Sequence, residues 1–205
     1  ALALAHYDKA LQYNRNSANV HNNLGNVLLQ LGKTRQAIQH FHRALQIEPE
    51  NDQWYVNLGN AFQDLGLLEK ALFHYQLSAK KNPYNYTAFN NAGVIYRELG
   101  HPQAALRCYE HALKLKPEAY WIDSNRLFCL LGMNISPQEL KKEFAQWEQR
   151  YGLLVNTREV EYPHLPDPSR RLRIGYISPD FRHHAAAHLL KVFLTYHNRE
   201  QFETF

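Results

Sequence analysis

The chain has 205 residues, 45% of them apolar and 20% charged, with a formal net charge of +4, a balance that fits one or two globular domains and excludes an intrinsically disordered chain. No apolar run approaches the ~20 residues of a membrane span, no leader segment is visible, and the one basic cluster (Arg170, Arg171, Arg173) lacks the stripe and interleaved aromatics of a nucleic-acid surface. Cys108 and Cys129 stand alone in helical patterns, which argues against a zinc site or a disulfide framework and for a reducing, cytoplasmic compartment.

In chain order, residues 1–16 read as the second helix of an interrupted repeat, since Ala3, Tyr7 and Ala10 lie 34 positions before Ala37, Phe41 and Ala44. Full units follow at 18–51, 52–85 and 86–119. The middle one carries Trp54, Tyr55, Leu58-Gly59, Phe62, Leu65-Gly66, Ala71, Tyr75, Ser78 and Pro83. Moved back 34, the template meets His21, Leu24-Gly25, Leu28, Leu31-Gly32, Ala37, Phe41, Ala44 and Pro49; moved forward, it meets Phe89, Ala92-Gly93, Tyr96, Leu99-Gly100, Ala105, Tyr109, Ala112 and Pro117. That period and pattern identify tetratricopeptide repeats. Each unit is expected to be a helix, a turn at the second glycine, and a second helix stopped by a proline that has no N–H to donate. Gly25, Gly59 and Gly93 are expected where helix backbones approach, with Ala37, Ala71 and Ala105 opposite. No unit can bury its apolar face alone, so the units should stack into a right-handed α-α superhelix with a concave and a convex side.

A degenerate unit occupies 120–133, where Arg126-Leu127 replaces the Leu-Gly pair and no second helix is expected in register. A connecting helix is expected within 134–152. Ser136 is its N-cap, Pro137 its first residue and Glu139 its third, and Leu140, Phe144, Trp147 and Tyr151 share one face. Residues 153–170, with Pro163, Pro166 and Pro168, read as a linker. Leu172 to Ser178 then reads as a buried strand, Pro179 to Arg182 as a turn, 184–196 as a helix, and Phe202 to Phe205 as the opening of a second strand. The fold class is therefore mainly α, an α-α superhelix followed at 171–205 by the first βαβ segment of an α/β, Rossmann-like domain. The start half-way through a repeat, the single methionine Met133 and the apolar-alternating end imply that both termini are internal to a longer protein.

Two constellations carry candidate chemistry. Asn23, Asn57, Asn91 and Asn125 recur at the sixth position of successive units, and the same face carries Asn26, Asn60, Gln30, Asp64 and Glu98. An amide donates and accepts at once, so such a row can clasp the backbone of an extended peptide; the alternatives are a solvated face or an inter-repeat hydrogen-bond rung. The second constellation runs from Ser178 to His188, at the carboxyl end of the first strand, where ligands of open α/β sheets bind. His184 and His188 have i, i+4 spacing, but Ala185 stands where HExxH hydrolases have glutamate and no third ligand is evident, which disfavours metal. Histidines acting as pocket donors or proton carriers, or merely capping and packing, are the remaining readings.

The run Leu172-Arg173-Ile174-Gly175-Tyr176-Ile177-Ser178-Pro179-Asp180-Phe181, followed by His184, His197-Asn198 and Gln201-Phe202-Glu203, resembles the opening of the catalytic region of protein O-linked N-acetylglucosamine transferases and their bacterial and SPINDLY-type relatives. The resemblance implies a GT-B architecture of two Rossmann-like halves that moves N-acetylglucosamine from UDP-N-acetylglucosamine to Ser or Thr of protein substrates, without metal or other cofactor. It further implies that His184 is the active-site histidine and that Asn23, Asn57, Asn91 and Asn125 are the ladder for the substrate peptide. Arg182-His183 and Ala185 to Ala187 depart from the turn of the animal enzymes. A SPINDLY-like O-fucosyltransferase using GDP-fucose and a non-catalytic binding adaptor are the alternatives. The half that mainly holds the nucleotide is missing, so this chain alone is expected to be inactive. Oligomerisation through the convex side is left open.

Overall fold

The computed structural model describes residues 2–152 and two strands at 172–174 and 202–204. The chain divides into two units, 1–156 and 157–205, taken here one at a time.

Among the described residues the first unit holds nine helices: α1 (Leu2–Tyr13), α2 (Ala18–Gln30), α3 (Thr34–Ile47), α4 (Asp52–Asp64), α5 (Leu68–Lys81), α6 (Tyr86–Glu98), α7 (Pro102–Leu115), α8 (Tyr120–Leu131) and α9 (Pro137–Tyr151). The turns inside each pair follow from glycine. Gly32, Gly66 and Gly100 adopt φ of 71°, 70° and 78°. The next residue's N–H then donates back, Lys33 to Leu28 O, Leu67 to Phe62 O and His101 to Tyr96 O, at 2.9, 2.9 and 2.8 Å. This left-handed ending satisfies carbonyls that a helix otherwise orphans. The turns between pairs follow from proline. Glu48, Asn82 and Lys116 precede Pro49, Pro83 and Pro117, and their φ angles of −131°, −135° and −140° are the extended backbone that a following proline ring imposes.

Within a pair, the glycines of the first helix mark the close approach, but the partner is a ring. A Cβ on Gly25, Gly59 or Gly93 would lie 2.5, 2.5 or 2.7 Å from the ring of Phe41, Tyr75 or Tyr109. Ala37, Ala71 and Ala105 are fully buried in the same layer, yet it is the flat face of the aromatic ring that needs the missing side chain. Between pairs, each second helix packs on the first helix that follows it, while consecutive first helices also touch one another. α2, α4, α6 and α8 thus form one layer, the inner face of the superhelix expected of such repeats.

The fourth unit differs from expectation. α9 starts only one residue later than the 34-residue period would place it and packs on α8, so it takes the place of a second helix after all. The one-residue offset and larger side chains hide this in the sequence: Leu127 fills the slot of the glycine, and Leu140, Phe144 and Trp147 replace the alanine, ring and small residue of the other pairs. Its start is the expected capping box, with Glu139 N–H donating to Ser136 Oγ at 3.2 Å and Ser136 N–H to Glu139 Oε2 at 3.2 Å. It is fastened by charge: Asp123, 1% exposed, accepts from Arg126 Nε at 2.7 Å and Arg150 Nη1 at 3.1 Å, and Arg126 Nη1 reaches Glu143 at 2.8 Å. The Tyr151 hydroxyl donates to Pro117 O at 2.9 Å.

In the second unit, β1 (Leu172–Ile174) and β2 (Phe202–Thr204) pair in parallel, with Leu172 opposite Phe202, Arg173 opposite Glu203 and Ile174 opposite Thr204. Parallel neighbours require a crossover connection, the arrangement expected of these two runs. The linker at 153–170 and the helix expected at 184–196 lie outside the described residues. No described helix is long and apolar enough to cross a membrane.

Candidate functional site

The asparagine row sits on the inner layer, one member per first helix: Asn23 on α2, Asn57 on α4, Asn91 on α6 and Asn125 on α8. Asn23 is exposed and the other three are half-buried, because each reaches back to the preceding first helix. Asn57 Nδ2 donates to Asn22 Oδ1 at 2.8 Å, Asn91 Nδ2 to Asn60 Oδ1 at 3.1 Å and Asn125 Nδ2 to Asn90 Oδ1 at 3.1 Å. One N–H of each amide is therefore an inter-repeat rung. The acceptor alternates between the fifth position (Asn22, Asn90) and the ninth (Asn60), since the fifth position of the second unit is Val56 and the ninth of the third is Val94.

Asn22 and Asn90, which sequence reasoning passed over, tie the row together further. Asn90 Nδ2 donates to Asn91 Oδ1 at 3.1 Å, and Asn22 Nδ2 lies 3.5 Å from Asn23 Oδ1. Their only signal in the sequence is adjacency to a row member, and Val56 breaks its period. Asn60, expected on an exposed face, is instead half-buried beneath Tyr75, whose hydroxyl lies 2.7 Å from Asn60 Oδ1 and 2.9 Å from Gln63 Oε1. Burial pushes the Tyr75 phenol well above its ordinary value, so it stays a donor at any physiological pH. The rungs fix the rotamers of the row. Ordering a long polar side chain costs up to ~1.5 kcal/mol, and here that cost is met on folding. Each anchored amide keeps a second N–H and further lone pairs for a ligand.

His184 and His188 lie outside the described residues. Among the described residues no group of three or more His, Cys, Asp or Glu is placed to hold a metal ion. Cys108 and Cys129 are free thiols whose burial raises their pKa, which makes them poor nucleophiles.

A stack of helix pairs with glycine-cradled rings and an amide-tied inner layer is a tetratricopeptide array, and family models agree: tetratricopeptide-repeat models match residues 18–51 and 86–119, and a TPR-repeat model matches 1–32. The chain thus carries tetratricopeptide repeats. No curated protein matches it in sequence. Among solved structures it is similar to a mutant of the Thermobaculum terrenum O-GlcNAc transferase, with TM-score 0.71 and 23% identity, over 91% of this chain and 36% of that one. It is also similar to MamA protein (TM-score 0.66, 19% identity, 80% of this chain and 87% of that one). A third is YrrB, described as a TPR protein with an unusual peptide-binding site (TM-score 0.60, 19% identity, 70% and 74%). At these identities the likeness is one of fold.

Proposed function

We propose that the inner face binds extended peptides of protein partners through the asparagine row, and that the chain is the substrate-recruiting arm of a protein O-glycosyltransferase. The observation that carries the binding reading is the set of amides at one-repeat spacing, each held in place by the repeat before it. An extended peptide presents alternating N–H and C=O groups, and an amide edge pairs with both whatever the peptide's side chains. Each pair contributes ~0.5–1.5 kcal/mol, so affinity comes from multiplicity. Asn57→Ala combined with Asn91→Ala should weaken a bound extended peptide by about 5- to 100-fold in fluorescence polarisation. Unchanged affinity would reduce the row to an inter-repeat rung.

The catalytic half of the proposal rests on the Leu172 to Phe181 run, on the parallel pairing of 172–174 with 202–204, and on the likeness of fold to the Thermobaculum enzyme. In this reading the protein is cytoplasmic, UDP-N-acetylglucosamine is the donor, Ser and Thr hydroxyls are the acceptors, and His184 lines the transfer site without a metal. The test uses the full-length product of the reading frame that encodes this sequence, heated with UDP-N-acetylglucosamine or GDP-fucose and assayed for transfer to protein. Protection and transfer with the first support the reading. Protection by GDP-fucose alone redirects it to O-fucosylation, and no transfer from either leaves a peptide-binding adaptor.

A further inference from the structure

The inner face changes chemistry at its C-terminal end. The fifth, ninth and twelfth positions of the first helix hold Asn22, Asn26 and Leu29 in the first unit, Val56, Asn60 and Gln63 in the second, and Asn90, Val94 and Arg97 in the third. In the fourth they hold Ser124, Phe128 and Leu131. Phe128 is 61% exposed and Leu131 52% exposed, beside Phe144 at 42%. Large apolar groups left open to water at one place mark a binding surface.

The physical origin of this opening is the loss of the glycine. In the other pairs a ring lies flat on Gly25, Gly59 or Gly93; here Leu127 occupies that slot, so Phe144 cannot settle onto α8. What remains between α8 and α9 is an apolar cleft of about 270 Å³ lined by Ser124, Leu127, Phe128, Leu131, Phe144 and Trp147. The indole N–H of Trp147 is shielded from solvent and meets no acceptor. An orphaned donor of this kind costs free energy, a sign that the packing around this cleft is incomplete.

We infer that this cleft is an anchor pocket for one large apolar side chain of the same extended peptide that the asparagine row holds, an inference that rests on the binding reading above. Continuity carries it. Ser124, which lines the cleft, is the neighbour of Asn125, and Asn125 is the last rung of the row, tied to Asn90. A backbone held at Asn125 delivers its next side chains to the cleft. The size fits one side chain, being below the ~300–1,000 Å³ of sites that enclose a whole small molecule. Neighbouring first helices stand ~8–10 Å apart and an extended chain advances ~3.3 Å per residue. The part of the peptide held at Asn125 therefore falls about three residues beyond the part held at Asn91, and the anchor residue follows it.

The test pans a random twelve-residue phage-displayed peptide library against the intact chain, Leu131→Asp, Phe128→Ser, and Asn57→Ala with Asn91→Ala. The best peptide of the intact chain is then titrated by fluorescence polarisation and by NMR of the Trp147 indole. Leu131 and Phe128 are exposed; Phe128→Ser gives up the Arg97 guanidinium 4.8 Å from its ring centroid, and thermal melts check that neither change unfolds the array. The expected result is a shared Leu, Ile, Met, Phe or Trp at one position. Alanine there, or either cleft variant, should weaken binding by about 10- to 100-fold, and the Trp147 N–H resonance should move on binding. Peptides that depend on Asn57 and Asn91 but ignore both cleft variants would keep the row and overturn the pocket. Peptides that depend on the cleft and ignore the asparagines would keep the pocket and overturn the row. A chain that sediments as a dimer and is dissociated by Leu131→Asp would assign the cleft to a second copy and overturn the inference.

Discussion

At the scale of single residues, Gly59 and Tyr75 show how one missing Cβ holds a repeat together. A Cβ at Gly59 would stand 2.5 Å from Tyr75 Cε1, and the ring has little room to slide because its hydroxyl is held between Asn60 and Gln63. Gly59→Ala should therefore cost about 1–3 kcal/mol in urea unfolding. Gly25→Ala meets the same 2.5 Å approach from Phe41, but that ring has no hydroxyl to hold it, so its cost should be smaller. Equal costs would mean that the hydrogen bonds do not hold the ring. His74 gives a second residue-scale prediction, this one in pH. Its ring stacks on Phe62 at 5.2 Å with 7° between planes, its Nδ1 has no partner, and burial, with the nearby His42 second, holds its pKa down at about 4. In the unfolded chain a histidine titrates near ~6.5. Between those values, as pH falls, the unfolded state takes up a proton that the folded state refuses, so stability is full above pH ~6.5 and is lost on the way down to ~4. His42 is shifted the same way by burial. Melting temperatures measured from pH 7.5 to 4 should fall less steeply in His74→Phe than in the parent, and parallel curves would show that His74 is not the group responsible.

At the scale of elements, the ends of the helices were legible in the sequence because glycine and proline fix backbone angles by themselves. Gly66 and Pro83 dictate local geometry whatever surrounds them, and Ser136 with Glu139 forms its capping box from four consecutive residues. Contacts that depend on the register between repeats were not legible. Asn22 and Asn90 act as acceptors only because a neighbouring first helix brings Asn57 and Asn125 to them. α9 escaped as a repeat helix because one extra residue and a Leu127 in place of glycine break the template. For the candidate site, the position of the row was readable and an inter-repeat rung stood among its alternative readings, but which residues accept was not; His184 lies outside the described residues. α9 is fastened at its start by the capping box and along its length by Asp123, whose buried carboxylate accepts from Arg126 and from the exposed Arg150. Ser136→Ala should cost ~1 kcal/mol, and Asp123→Asn more, since it takes the counter-charge from Arg150 and leaves Arg126 with Glu143 alone. In hydrogen exchange both should release the amides of 137–151 before those of the inner helices; loss of protection spread evenly over all helices would show that α9 is not a separately fastened element.

At the scale of the helical unit, a stack in which each pair touches only its neighbours behaves as a linear array, with stability close to a sum of unit and interface contributions. The buried apolar core reflects this: one cluster spans Ala18 to Ile95 and another Ala105 to Cys129. A cavity should then have consequences set by its place in the line. Leu58 and Ile122 are both fully buried, and truncating either to alanine costs about 2–5 kcal/mol. Ile122→Ala weakens the seam next to the last pair, so α8 and α9 should exchange their amides at a lower free energy while α2 to α5 keep theirs. Leu58→Ala weakens the middle, so α2 and α3 lose the partner that follows them and α6 loses the one that precedes it; protection should fall on both sides. If both variants lowered protection uniformly, the unit would be a single cooperative block and the linear description would be wrong. The distinction bears on binding, because an asparagine row that runs from α2 to α8 is complete only when every seam is closed. A peptide that spans the row binds the closed array alone and stabilises it by mass action. Saturating peptide should therefore return protection to α8 and α9 in Ile122→Ala, and a short peptide that reaches only Asn23 and Asn57 should not.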